Sequence, residues 1–324
     1  MNRRTLMLAA ACILAAGIAA PAVAQEWPSR PIHIIVSFGP GGGADIVSRI
    51  ISQPLQEKLG QTIVIENRPG AAGTLGNEMV ARAANDGYTI GIMTAGQIIA
   101  AAMNKSLRYD TLTAFDPISQ VGTAGLIMVT RPDFPANNVK ELIAAAKASP
   151  GKIVFASPGF GATQHMAAEL FKQTAGADML QVPFRTSPEA ISAVLGKQVD
   201  VLFDTILAVL GQVQSGQLKA LAVTGKERFP ALPNVPAAIE SGVVPGYDVT
   251  TWYGFFAPRG TPPAIIARLN KAMNEIIVDP VVRERLTKAG VVVKGSTAEA
   301  FGKFMADEFV RWNAVREKAG IPQQ

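Results

Sequence analysis

The feature that most constrains this chain is a regular alternation of short apolar runs with longer amphipathic stretches, which begins at residue 32. Short apolar runs bounded by Gly, Pro or Asn predict buried strands, and apolar residues that recur every three or four positions predict helices. Strands are predicted over 32–38, 62–66, 88–93, 126–130, 152–156, 179–182, 199–203, 218–223 and 250–257. Helices are predicted over 45–59, 74–84, 139–148, 163–174, 188–195, 262–278, 280–289 and 298–319. This alternation predicts an α/β fold with largely parallel sheets.

The length and composition of the chain fit two ordered domains. Its 324 residues are enough for two sizeable cores, and 48% hydrophobic against 17% charged residues argues against disorder. A second strand–helix series begins near residue 125, and the Pro/Gly-rich residues 229–248 predict a surface connection that contains a short helix. The net charge of +5 includes no Lys/Arg run of the kind that follows nucleic acid, so no nucleic-acid partner is predicted.

The first 24 residues have the pattern of a secretory signal peptide. Arg3 and Arg4 form a positive start, residues 6–20 are apolar, and Ala22-Val23-Ala24 is a small-x-small cleavage site. The apolar run is shorter than the ~20 residues needed to span a bilayer. We therefore predict export to the periplasm with cleavage after Ala24, by the general or the twin-arginine route. The single cysteine lies within this segment, so the mature chain is predicted to have no disulfide and no cysteine nucleophile.

Three glycine-rich turns lie at predicted strand-to-helix junctions. They are FGPGGGAD (38–45), RPGAAGTLG (68–76) and SPGFGATQH (157–165). Each offers backbone N–H groups at a helix start, where the first turn lacks partners and the helix dipole favours negative charge. Because ligands of open α/β sheets bind at the carboxyl ends of the strands, we expect the three turns to face one another around an anion.

The first turn also fits the loose fingerprint of a dinucleotide site. Two of its glycines and Ala44 match the spacing, and Glu66 follows about 20 residues on. However, Asp45 stands where a pyrophosphate would meet the helix, and Pro40 removes one N–H group. An exported protein would also rarely meet free NAD. The turn is therefore interpreted as a cradle for another anion, and no cofactor is predicted.

An exported α/β hydrolase is the alternative from another functional class. Ser157, His165 and Asp204 could form a triad, although the stretch around Ser157 lacks the first glycine of a nucleophile elbow. His33 and His165 are the two histidines of the chain, and its carboxylates are scattered. We therefore predict neither catalytic residues nor a metal site.

Six longer segments resemble one family. They are WPSRPIHIIVSFGPGGGADIVSR, VIENRPGAAGTLGNEMVARAANDGYTI, YDTLTAFDPISQVG, ASPGFGATQHMAAELF, QVPFRTSPEAISAVLGKQVDVLFD and TWYGFFAPRGTP. Through them the chain resembles the Bug-type periplasmic solute receptors, the substrate-binding proteins of tripartite tricarboxylate transporters. The resemblance implies a two-domain periplasmic-binding-protein clamp of type II, with a mostly parallel sheet in each domain and a ligand cleft between them. It implies one domain of residues 26–126 plus 248–324 and a second of residues 127–247.

The resemblance also implies that backbone N–H groups, hydroxyls and waters hold a carboxylate. The expected contacts from the first domain are Phe38, Gly41, Gly42, Gly43, Asp45, Ala71, Ala72, Gly73 and Thr74, with a loop formed by Thr94, Ala95 and Gly96. Those from the second domain are Ser157, Gly159, Phe160, Gly161, Ala162, Thr163, Arg185 and Asp204. Two segments depart from the family pattern, because Ala162 replaces a frequent hydroxyl and PFRTS (183–187) stands where PYKG is usual. Both changes are expected to alter which acid fits.

The sequence thus predicts a receptor that makes and breaks no bond. Its expected partners are a small organic mono- or dicarboxylate, with aromatic acids and amino acids included, and the membrane permease subunits of a tripartite tricarboxylate transporter. We expect the receptor to be a monomer. A carboxylate receptor that signals to a sensor kinase stays open as an alternative output.

Overall fold

The computed structural model describes residues 26–158, 161–318 and 323. The strands are β1 (Ile32–Val36), β2 (Ile63–Asn67), β3 (Thr89–Thr94), β4 (Phe115–Thr130), β5 (Ile153–Pro158), β6 (Met179–Phe184), β7 (Val201–Thr205), β8 (Lys219–Val223), β9 (Thr250–Pro258) and β10 (Val291–Val293). The α-helices are α1 (Gly43–Leu59), α2 (Thr74–Ala81), α3 (Ala95–Met103), α4 (Val139–Ala148), α5 (Thr163–Ala175), α6 (Ser187–Leu195), α7 (Ile206–Gln214), α8 (Pro263–Val278), α9 (Pro280–Lys288) and α10 (Ala298–Lys318). Short 3₁₀ turns cover Ala71–Gly73 and Ala238–Ser241. The predicted signal peptide lies outside the described residues.

The strands form two α/β domains that share one long strand. The strand order is β2-β1-β3-β9-β4-β7-β5-β6, and β8 and β10 pair with β4 beside this path. The first domain is built on β1, β2, β3, β9 and β10, and the second on β5, β6, β7 and β8. β4 pairs with β9 and β10 through its first part and with β7 and β8 from Leu126 onward. The predicted two-domain α/β architecture is therefore present.

The sheet is more mixed than the sequence predicted. β1 pairs in parallel with β2 and β3, and β5 pairs in parallel with β6 and β7. The central strands β4 and β9 are antiparallel to their neighbours. The first part of β4 was missed because its sequence contains Pro117 and two glycines, and the register shifts after Pro117.

Two helices were also missed, and one of them corrects a site prediction. Residues 94–96 were expected to form a loop, but Thr94 ends β3 and caps α3, and Ala95 and Gly96 form the first turn of that helix. α3 and α7 are both short and almost continuously apolar, so neither shows the polar face that marks a surface helix.

Packing fixes the helix starts at the ends of the strands. In the first domain, Val47 and Ile51 of α1 share a buried cluster with Ile34 of β1. In the second domain, the Phe203 ring of β7 lies 5.8 Å from the Phe155 ring of β5 and 5.8 Å from the Phe171 ring of α5. Each domain therefore holds its loops on a rigid frame. Within the described part of the chain, none of the helices has the length and apolar character needed to cross a membrane.

Candidate functional site: two adjoining cavities between the domains

A small inner cavity lies between the domains, at the carboxyl ends of β1, β3, β5 and β7. Its volume is about 30 Å³, enough for one or two waters. Both domains line it, through Phe38, Gly39, Gly42, Gly43, Ala44, Thr94, Pro158, Thr163, Gln164, Arg185, Thr186, Ser187, Thr205, Thr251 and Tyr253. This is the position at which open α/β sheets bind ligands.

Five helices begin at the inner cavity. Their N-cap residues are Gly42 for α1, Thr94 for α3, Ala162 for α5, Thr186 for α6 and Thr205 for α7. Side chains cap α3 and α6, but no side chain caps α1, α5 or α7. Three sets of backbone N–H groups therefore converge on one small space without a side-chain acceptor. Such an arrangement favours an anion.

Three buried polar atoms beside these helix starts lack hydrogen-bond partners among the described residues. They are Asp204 Oδ2, Thr205 Oγ1 and the hydroxyl of Tyr253. Asp204 is fully buried, and Thr205 and Tyr253 are each at least 97% buried. Because an unpaired buried polar group costs free energy, such a cluster indicates a place for a ligand or an ordered water.

The environment of Asp204 weakens its acidity. Burial raises the pKa of its carboxyl to about 6, and the nearby Ser187 hydroxyl, the Thr205 N–H group and the Gln164 side chain oppose the rise. The Thr205 N–H group donates to Asp204 Oδ1 at 2.7 Å. Burial also raises the pKa of Tyr253, and the adjacent Asp204 charge adds to this effect. The Tyr253 hydroxyl therefore stays protonated near neutral pH and can donate to an anion, whereas Asp204 becomes a donor only as the pH falls below about 6.

Asp45 has a different position from the one predicted. It does not line the inner cavity, and its carboxylate accepts hydrogen bonds from the Gly41 N–H group at 3.0 Å, from Arg49 at 2.9 Å and from Asn67 at 2.9 Å. Burial acts to raise the pKa of Asp45, but the bonds from Arg49, Gly41 and Asn67 outweigh it and lower the pKa. Asp45 therefore orders the glycine turn from behind.

The two domains are closed against each other at this site. A methyl group added to Gly39 of the first domain would overlap the side-chain methyl of Thr186 in the second. A methyl on Gly96 would lie 3.3 Å from the backbone nitrogen of Thr163, and one on Gly161 would lie 3.6 Å from the Cβ atom of Ala72. Close approach of the two backbones therefore requires glycine at position 39.

A larger outer cavity of about 600 Å³ adjoins the inner one. Phe38 and Arg185 line both spaces. The remaining outer lining is Ser37, Pro69, Gly70, Ala71, Ala72, Gly73, Leu75, Pro183 and Phe184. Its turn is conformationally unusual, because Ala71 and Ala72 have φ values of 47° and 55°, in the region that disfavours side chains.

The predicted binding residues fall into four groups. Phe38, Gly42, Gly43, Thr94, Thr163 and Arg185 line the inner cavity, and Ala71, Ala72 and Gly73 line the outer one. Nine others line neither cavity but lie within two positions of a lining residue in the sequence: Gly41, Asp45, Thr74, Ala95, Gly96, Ser157, Gly161, Ala162 and Asp204. Gly159 and Phe160 lie outside the described residues. The second and third glycine turns lie close together, since a methyl on Gly161 would be 3.6 Å from the Ala72 Cβ atom, whereas the first turn lies against Thr186 and Pro188.

Sequence reasoning missed nine residues of the inner cavity. They are Gly39, Ala44, Pro158, Gln164, Thr186, Ser187, Thr205, Thr251 and Tyr253. Thr186 and Ser187 carried a usable signal, because a Thr-Ser-Pro sequence after a strand is typical of a helix start. Tyr253 carried none, since a tyrosine in an aromatic strand resembles a core residue.

The residues of the hydrolase alternative have hydrogen-bond partners outside the suggested triad. Ser157 Oγ accepts a hydrogen bond from Gln181 at 3.0 Å, and His165 Nδ1 accepts one from the Gly161 N–H group at 3.0 Å. The carboxylate of Asp204 is engaged by Thr205. Each residue of the suggested triad therefore has a structural partner. Within residues 26–158 and 161–318, no three His, Cys, Asp or Glu side chains gather as metal ligands.

Comparison with known proteins assigns the family. Residues 47–321 match the model of the tripartite tricarboxylate transporter family receptor. Protein BugT of Bordetella pertussis is 36% identical over 98% of both chains. Among solved structures, Rpa4515 with adipate from R. palustris is 30% identical, with a TM-score of 0.88 over 92% of this chain and 99% of that one. MatC from Rhodopseudomonas palustris with bound malate is 33% identical, with a TM-score of 0.84 over 89% and 99%. The chain therefore belongs to the tripartite tricarboxylate transporter receptor family.

Proposed function

We propose that this protein is a solute receptor that closes its two domains around a small organic carboxylate. The observation that carries the proposal is the convergence of three helix starts without side-chain caps on one interdomain cavity, beside the buried hydroxyls of Thr205 and Tyr253. The related structures with adipate and malate support a carboxylate as the ligand class.

The negative charge is shared rather than neutralised by one ion pair. The N–H groups at the starts of α1, α5 and α7 supply partial positive charge, and the hydroxyls of Thr205 and Tyr253 donate hydrogen bonds. As the pH falls below about 6, protonation of Asp204 adds a donor and removes a repulsive charge. Arg185 supplies a full positive charge at the cavity wall, and its guanidinium forms no ion pair with a described residue.

Closure couples ligand binding to the domain arrangement. The first domain brings α1, Thr94 and Tyr253, and the second brings α5, α6 and α7. Neither domain alone completes the donor set, so a carboxylate binds most tightly when both are together. Binding therefore favours the closed state by its differential affinity for that state. The receptor makes and breaks no covalent bond.

The remaining predicted assignments are part of the same proposal. We place the domain crossings between residues 126 and 127 and between 247 and 248, supported by the change of β4 partners at Leu126 and by the start of β9 at Thr250. We propose an exported, periplasmic monomer that is cleaved after Ala24. It delivers its ligand to the permease subunits of a tripartite tricarboxylate transporter, in keeping with its family.

A thermal-shift panel tests the function. The purified mature protein is heated with adipate, malate, citrate, glutamate, hexanoate or benzoate, with glucose as the uncharged control. At least one acid is expected to raise the melting temperature in a concentration-dependent way, because ligand that binds the folded state stabilises it. A shift with glucose and with none of the acids would contradict the proposal.

A further inference from the structure

The sizes of the two cavities indicate that different parts of one ligand occupy them. The inner cavity holds about 30 Å³, whereas pockets for small organic ligands are typically 300–1,000 Å³. In the closed arrangement a whole organic acid therefore exceeds the inner space. The outer cavity, at about 600 Å³, has the size of a ligand site. Phe38 and Arg185 line both cavities, so a ligand held by the inner helix starts continues past these two side chains.

The outer cavity differs from the inner one in chemistry. The inner lining holds five threonines, Ser187 and Tyr253. The outer lining is made of Phe38, Leu75, Phe184, two prolines, two alanines and glycines, with Ser37 and Arg185. Among the described lining residues Arg185 is the one charged group, and it lies at the junction rather than among the outer side chains alone.

The outer wall also exposes apolar surface. The Leu75 side chain is 53% exposed, and it is held beside the strained turn at Ala71 and Ala72. Strained backbone in a ligand clamp persists when the surrounding structure requires its shape. Here the turn sets small side chains beside Leu75 and leaves the space between Leu75 and Phe184 open.

Resting on the proposed function, we propose that the outer cavity receives the apolar body of the ligand and that the substrate class is monocarboxylates with an alkyl or aromatic body. The single carboxylate occupies the inner cavity, where the helix starts and Arg185 meet it. The body lies against Phe38, Leu75 and Phe184. A second carboxylate at the far end of the ligand lies mainly among apolar side chains, where Ser37 and the backbone N–H groups of the Ala71–Gly73 turn replace only part of its lost hydration.

Acetate, hexanoate and adipate form a matched set of probes for calorimetry with the full mature protein. Acetate has the carboxylate alone, and hexanoate and adipate have six carbons each but differ in the second carboxylate. Each methylene buried in the outer cavity is expected to raise affinity about fourfold. Hexanoate is therefore expected to bind at least tenfold more tightly than acetate and than adipate.

Two leucine variants test whether the gain in hexanoate affinity comes from the outer cavity. Leu75→Ser is expected to weaken hexanoate binding several-fold and to leave acetate binding unchanged. Leu180→Ser is the matched control, because Leu180 is 57% exposed and lines neither cavity. Both side chains are exposed, so both variants are expected to fold.

The outcomes separate this inference from the proposed function. Adipate binding as tightly as hexanoate, or a Leu75→Ser variant with unchanged hexanoate affinity, would overturn the inference while the carboxylate receptor stands. If no acid of this set or of the thermal-shift panel binds, the proposed function fails and the inference with it.

Discussion

Two buried aspartates, one in each domain, have opposite environments. Asp45, in the first turn of α1, has three hydrogen-bond donors and a lowered pKa. Asp204, near the end of β7, has an unpartnered Oδ2 atom and a pKa raised to about 6. The first carboxylate is satisfied within its own domain. The second leaves hydrogen-bonding capacity beside the interdomain cavity.

The difference shows that Asp45 orders the glycine turn, whereas Asp204 is available to a ligand. Asp45 binds the Gly41 N–H group and so fixes the glycine turn before any ligand arrives. Asp204, Thr205 and Tyr253 together hold buried polar atoms that leave hydrogen-bonding capacity for a ligand or water. A preformed cradle in one domain thus faces an incomplete hydrogen-bond network that both domains supply.

Removal of the Asp45 side chain should have the largest effect on stability. In Asp45→Ala, the Gly41 N–H group and the Asn67 amide lose a charged acceptor, so the free energy of unfolding is expected to fall by about 4 kcal/mol. The exposed Arg49 pair contributes little. Urea denaturation at pH 7 measures the loss. Because the pKa of Asp45 is lowered, its contribution is present above its ordinary value of 3.8 and fades as the pH falls below it. A loss under 1 kcal/mol would contradict this account of the turn.

Asp204→Asn should change the pH dependence instead. The pKa of Asp204 rises from 3.8 in the unfolded chain to about 6 in the folded one, so the folded state binds more protons between these values. Its contribution to stability is full below pH 3.8 and is lost as the pH rises through 6, a change of about 3 kcal/mol. Urea denaturation from pH 4 to pH 7 should therefore show a smaller decline for the variant than for the wild type. Parallel curves would contradict the assignment of a raised pKa.

Ligand affinity, like stability, should fall as the pH rises through the pKa of Asp204. A carboxylate beside Asp204 favours its protonated form, so wild-type affinity is expected to rise as the pH falls from 7.5 to 5.5. The acid with the largest shift in the panel is the probe. In Asp204→Asn, which keeps a donor without titrating, this dependence should flatten.

Two buried tyrosines offer a smaller and sharper contrast. The Tyr253 hydroxyl is unpartnered, whereas the Tyr247 hydroxyl donates to the Ala167 carbonyl at 2.9 Å. Tyr253→Phe is expected to weaken ligand binding about tenfold and to leave the ligand-free melting temperature unchanged or higher. Tyr247→Phe should lower that temperature and leave affinity unchanged. If Tyr253→Phe binds the acid as tightly as the wild type does, the Tyr253 hydroxyl does not contact the ligand.

Local sequence patterns predicted the strands and helices of this protein better than they predicted which residues meet at the site. The residues of β1 and α1 form an apolar run, a glycine turn and an amphipathic helix, so each is visible in a short window of sequence. Tyr253 and Thr205 become site residues only because β9 and β7 flank β4, a pairing between residues far apart in the chain. Asp45 was expected to contact the ligand from the family resemblance, whereas its hydrogen bonds to Gly41 and Asn67 depend on a side-chain direction that only the tertiary structure shows.

The closed clamp itself depends on Gly39. Gly39→Ala places a methyl against Thr186 across the cleft, and such overpacking costs about 1–3 kcal/mol. Gly211→Ala is the control, since a methyl added at this glycine of α7 would meet no neighbouring atom within 4 Å. Thr186→Ser removes the opposing methyl and keeps the hydroxyl that caps α6.

The most direct test is calorimetric affinity for the best acid of the panel in these variants. We predict that Gly39→Ala binds about tenfold more weakly, that Gly211→Ala binds nearly as the wild type does, and that Gly39→Ala combined with Thr186→Ser recovers most of the loss. Unchanged affinity in Gly39→Ala, or no recovery in the double variant, would contradict closure of the two domains around the ligand.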